Sequence, residues 1–159
     1  MRYPSFRFLV LISIVAAALY SLSVCSAVPF LSSGSKSALK RVSIEAREHA
    51  NENQATAVDI VVIYDSKLLE ILPKNAIEWF DKKSSFMASV GQNIDVVSLQ
   101  IPPISLVDVK LPKGIAKAVY VMSYANYIAA EGQMVGNLSS YKCAKIILQP
   151  QRVDYVGCS

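Results

Sequence analysis

A chain of 159 residues has room for one domain with a core of its own. A formal net charge of +4 is too weak to argue for nucleic acid, and no basic cluster with interleaved aromatic residues occurs. One histidine, His49, is too few for a His/Cys metal centre, and neither a glycine-rich phosphate loop nor a Gly-x-Ser-x-Gly elbow is present. No cofactor, metal or small-molecule substrate is therefore expected, and carboxylates spread over loops and strand faces read as solvated surface.

Residues 1–27 have the layout of a secretory signal. Arg2 and Arg7 precede the apolar run Phe8 to Val24, and the small residues Cys25, Ser26 and Ala27 follow. Three readings stay open. Leu22-Ser23-Val24-Cys25 can be a lipobox, with Cys25 the acylated first residue of the mature chain and Val24 where a smaller residue is usual. Cys25-Ser26-Ala27 can instead be a small-x-small cleavage site. An uncleaved anchor wants about 20 apolar residues, and this run is slightly short. Residues 28–37, with Pro29, Gly34 and several serines, read as a flexible tether, and residues 38–159 as the folded domain.

Leu39, Val42 and Ile44 among charged neighbours suggest a first strand over Leu39 to Ala46. The polar run Arg47 to Thr56 reads as a surface loop. Ala57 to Tyr64, nearly all apolar and β-branched, marks a buried central strand, and its one charge, Asp59, needs a partner or an edge position. Asp65 to Leu72 allows one or two helical turns before Pro73. Asn75 and Glu78 have the spacing of a capping box, and Gly91 suits a helix end. Between them Trp79, Phe80, Phe86, Met87 and Val90 form an apolar stripe opposite Lys82, Lys83 and Ser84, as in core packing.

Strands are predicted at Ile94 to Ile101, Leu106 to Leu111 and Ala116 to Tyr124, and a long connection over Asn126 to Ser140. A tight turn at Gln149 to Arg152, with Pro150 second, would fold the end of the chain into a hairpin. In that register Leu148 faces Val153, Ile146 faces Tyr155 and Cys143 faces Cys158, within disulfide reach. That pairing leaves Cys25 over, and acylation would account for it. About seven strands and one inserted helical segment predict a mainly β fold, a two-sheet, transthyretin-like β-sandwich.

The order of landmarks resembles the TssJ-type outer-membrane lipoproteins of the bacterial type VI secretion system. They are a signal ending in Cys25, the loop Ala50-Asn51-Glu52-Asn53-Gln54, the strand Val58-Asp59-Ile60-Val61-Val62-Ile63-Tyr64, Trp79-Phe80, Leu111-Pro112-Lys113-Gly114, Ala118 to Met122, and a closing hairpin. The resemblance implies an adaptor without catalysis, lipid-anchored at the periplasmic face of the outer membrane. It also implies that the protein binds the periplasmic tail of an IcmF-like inner-membrane protein through the loop after the first strand, here Asn51, Glu52, Asn53 and Gln54. The alternative is a pilotin or periplasmic chaperone of another secretion system, holding an apolar peptide at a sheet edge or on the helix face around Trp79.

Overall fold

Two periodicities in the chain become two kinds of strand. The computed structural model describes residues 36–158, so the signal, Cys25 and all of the tether before Lys36 lie outside the described residues. Among the described residues the strands are β1 (Arg41–Ala46), β2 (Thr56–Ile63), β3 (Ile94–Ile101), β4 (Ser105–Asp108), β5 (Tyr120–Ala125), β6 (Gly136–Asn137), β7 (Cys143–Leu148) and β8 (Val153–Gly157). They form two four-stranded sheets, ordered β4-β1-β7-β8 and β3-β2-β5-β6. Among the described residues the fold is a β-sandwich with one α-helix, α1 (Ala76–Val90), laid on the outer face of the second sheet.

β1 and β7 alternate exposed or half-buried with buried residues, which suits strands with one face in the core. Their inward residues, Val42, Ile44, Ala144, Ile146 and Leu148, meet Val58, Ile60, Val62 and Val121 of the facing sheet. β2 is buried on both faces. Its other side, Val61 and Ile63, joins Tyr124, Ile94, Leu72 and α1 residues Trp79 and Val90 in a second core. Residues of both cores lie between Leu39 and Tyr155, so this stretch carries cores of its own, the mark of a unit able to fold alone.

α1 begins and ends by local chemistry. Asn75 Oδ1 accepts from the Glu78 N–H (2.9 Å), and Gly91 closes the helix with φ 57°. Glu78 does not complete a reciprocal capping box. Its Oε2 accepts from the Lys74 N–H, one residue before the cap. Asp59 takes the partner option, because β2 lies between β3 and β5 and is no edge. The Asp59 carboxylate is 1 % exposed. It accepts from Trp79 Nε1 (2.7 Å) and pairs with Lys83 Nζ (2.8 Å). Lys83, expected on the solvated side of the helix, thus reaches back to the sheet, and Trp79 stacks on Tyr124 at 4.8 Å between centroids.

Several boundaries differ from expectation. The first strand starts at Arg41, where its partner β7 starts, although Leu39 is already buried. Asp65 to Leu72 holds a short 3-10 turn, Ser66–Glu70. β4 stops at Asp108, although Val109 still donates to Val42 O (2.9 Å). Lys113–Lys117 form a 3-10 turn before β5, so that strand starts at Tyr120. Gly114 lets the Tyr64 hydroxyl lie close, since a Cβ would stand 2.5 Å from it. The long connection contains β6, whose Gly136 leaves room for the Tyr155 ring coming across from β8. The chain is bonded in from Ser37, whose N–H donates to Ala118 O (2.8 Å).

Candidate functional site

The strands run between two poles. The loops after β1, β3, β5 and β7 gather at one, and the chain enters at the other beside Ala118 and Ser139. The loop after β1 has the most unusual backbone. His49 (φ 61°), Asn51 (48°), Glu52 (56°) and Asn53 (65°) all lie at positive φ, and the last three in succession make one left-handed turn. Asparagine enters this region most readily, whereas Glu52 does so at a cost of about 1–2 kcal/mol.

The strain is held by hydrogen bonds, and Asn51 is their hub. Its Nδ2 donates to Asn126 O (3.3 Å), its Oδ1 accepts from the Ile128 N–H (2.8 Å), and its own N–H donates to Gln149 O (3.3 Å). Tyr127 also donates to Gln149 O (2.8 Å), and burial pushes its phenol well above the usual value. A side chain at Gly132 would collide with the Tyr127 ring. Three loops from both sheets are thus bound into one surface.

The four loop residues named from the sequence therefore separate. Asn51 is 3 % exposed and fully engaged, so it positions the loop and offers no free surface. Glu52, Asn53 and Gln54 are exposed. His49 Nδ1 lies 3.0 Å from Asn53 Oδ1, steadying the turn from outside. The expected plain surface loop is instead partly a core element, with Ala50 and Asn51 buried. Sequence reasoning missed Ile104, which is 76 % exposed at φ 55°. With Leu106, Arg47 and Glu48 it edges an open hollow of about 530 Å³. The signal was the pair Pro102-Pro103 before an isoleucine in a turn.

Beside this pole, Glu45 sits on the outer face of the first sheet. Its hydrogen bond from Lys145 holds its carboxyl below the usual range, burial opposes this, and the Arg47 charge (Nε at 2.9 Å) assists. Cys143 and Cys158 are joined in a disulfide on the same sheet, with Cα atoms 5.4 Å apart. Arg41 Nε lies 3.3 Å from Cys143 Sγ. Of the two places the alternative reading offered a peptide, a sheet edge and the helix face around Trp79, the second gains nothing from Trp79 itself, which is wholly buried. Among the described residues no group of His, Cys, Asp and Glu could hold a metal, and no helix is long and apolar enough to cross a membrane.

The arrangement is a two-sheet β-sandwich with a helix on one face and a hydrogen-bonded loop surface at one pole. Solved structures that share this fold include components of the type VI secretion system. The Serratia marcescens Lip structure, a membrane-bound component of the type VI secretion system, aligns over 73 % of this chain and 96 % of its own, at TM-score 0.50 and 12 % identity. A chain in the structure of the T6SS protein TssM C-terminal domain from EAEC aligns over 73 % and 98 %, at TM-score 0.50 and 16 % identity. The T6SS lipoprotein TssJ1 from Pseudomonas aeruginosa aligns over 76 % and 98 %, at TM-score 0.49 and 13 % identity. No protein-family model and no curated protein matches the chain. The expected sandwich class thus agrees with the architecture, and its likeness to TssJ-type folds is one of structure.

Proposed function

We propose that this chain is a non-catalytic envelope adaptor, a component of a type VI-like secretion membrane complex. It binds the periplasmic part of an IcmF-like inner-membrane protein through Glu52, Asn53 and Gln54. The observation that carries this reading is the left-handed turn Asn51-Glu52-Asn53, held by bonds to two other loops with its neighbouring side chains left exposed. Strain of this kind persists where surrounding structure over-determines it, and it collects at binding surfaces. A surface already in its bound shape loses little entropy on association. The likeness to Lip and to a chain of the TssM structure supports the choice of machine. In this reading the leader delivers the domain to the periplasm, Cys25 carries the lipid that tethers it to the outer membrane, and Cys143 and Cys158 oxidise on arrival.

The test is titration of the domain against the periplasmic part of the IcmF-like protein encoded by the same organism. The triple variant Glu52→Ala, Asn53→Ala, Gln54→Ala should weaken binding at least about tenfold, as loss of a small hot spot does, with the circular-dichroism spectrum unchanged. An unchanged Kd would remove the loop from the interface.

A further inference from the structure

The charges of the domain are divided between its two poles. Where the chain enters, the Ser37 N–H, next to Lys36, donates to the carbonyl of Ala118, next to Lys117 (2.8 Å), and the Lys40 N–H donates to Lys142 O (2.9 Å). The bond from Val109 to Val42 continues the β1–β4 register and sets Lys110 opposite Arg41. Lys113 opens the turn that ends at Lys117. All these side chains are exposed. Among the described residues none of them pairs with a carboxylate, since the ion pairs fall on Arg47, His49, Lys83, Lys145 and Arg152. The acids at that pole are Asp65, Asp95 and Asp108. Asp65 caps the Lys67 N–H and Asp95 accepts from the Tyr64 hydroxyl. At the loop pole the balance reverses. Glu48, Glu52 and Glu131 are exposed there, while Arg47 is held by Glu45 and Arg152 by Asp154.

A group of unpaired like charges repels itself and weakens the fold unless a counter-charge faces it. We propose that the entry pole is a lipid-facing surface that rests on anionic headgroups of the membrane to which the leader brings the domain. Charge complementarity names the occupant, and so does the path of the chain. The residues before Lys36 lead from this pole to the apolar run Phe8 to Val24. Attraction of a basic patch to anionic headgroups would orient the domain on that membrane as well as add to its hold. The strands then stand between the membrane and the β1–β2 loop, which points away from the lipid. This surface is independent of the loop's partner and stands or falls separately.

Flotation of residues 36–159 with vesicles tests it. At low ionic strength the domain should float with vesicles of about 30 % phosphatidylglycerol in phosphatidylcholine, and not with phosphatidylcholine alone. Each lysine near the surface contributes about fivefold. Lys113→Gln, Lys117→Gln and Lys142→Gln together should therefore lower partitioning on the order of a hundredfold, with the fold unchanged because all are exposed. Arg47→Gln with Arg152→Gln, at the other pole, should lower it little. Equal flotation with both lipids, no flotation, or equal loss in both variants overturns the proposal. So does retention on purified peptidoglycan sacculi without a preference for anionic vesicles, which would assign the pole to a polymer instead.

Discussion

The two sheets of this sandwich differ in what covers their outer faces, and the difference shows how each is stabilised. The sheet β3-β2-β5-β6 is covered by α1, so β2 is apolar almost throughout and a second core forms outside it. The sheet β4-β1-β7-β8 has its outer side chains in water, with Lys145, Glu45 and the disulfide among them. One sheet is held by packing on both sides. The other is held by packing on one side, helped by a covalent bridge and surface charge pairs.

The sharpest break of the covered side is Trp79→Ala. It empties a wholly buried site, removes the stack on Tyr124 and leaves Asp59 without its indole donor. Large-to-small changes of this kind lose about 3–5 kcal/mol, and the orphaned hydrogen bond adds to that. Urea unfolding should show the midpoint falling by most of the available stability. A loss under about 1 kcal/mol would mean that α1 is a detachable lid and the second core an ornament.

The same contrast decides what the sequence revealed. Where one face is buried, as in β1 and β7, alternation marks the strand, and the hairpin register at Leu148↔Val153 and Ile146↔Tyr155 followed from one turn. Where both faces are buried, the run Val58 to Ile63, apolar but for Asp59, says central strand and nothing about which neighbours it takes. The 3-10 turn Lys113–Lys117 was hidden because Ala116 and Ala118 read equally well as strand. Lys83 looked solvated because helical spacing places a stem and does not show where its ammonium reaches. Asn51 was legible as a loop residue. Its bonds to Asn126 O and the Ile128 N–H, 75 and 77 positions away, were not, because no local pattern encodes so distant a partner.

On the bare side the largest effect should come from the bridge. Cys143→Ser with Cys158→Ser should cost about 3 kcal/mol, the chain-entropy value for a loop of this size, as a lower urea midpoint against the oxidised protein. No difference between the two would show that β8 is held by its strand bonds alone. The smallest effect is Lys145→Gln, which removes the hydrogen bond that holds Glu45 low. A depressed carboxyl adds stability above its unfolded value and loses it as the pH falls through the folded one. The variant should therefore lose at most about 1 kcal/mol at neutral pH and nothing in strong acid, read as a flatter acid limb in thermal melts. An equal loss at every pH would assign the effect to packing of the lysine stem.

β1 lies parallel to β7, and Arg41 and Cys143 are 102 positions apart. A chain that emerges amino end first therefore keeps its opening strand unpaired on that side until β7 is out, about a hundred residues later. A pairing this distant in sequence closes late, because the entropy of the intervening loop has to be met before the contact rewards it. The last sheet to knit is thus the one that joins the two ends of the fold.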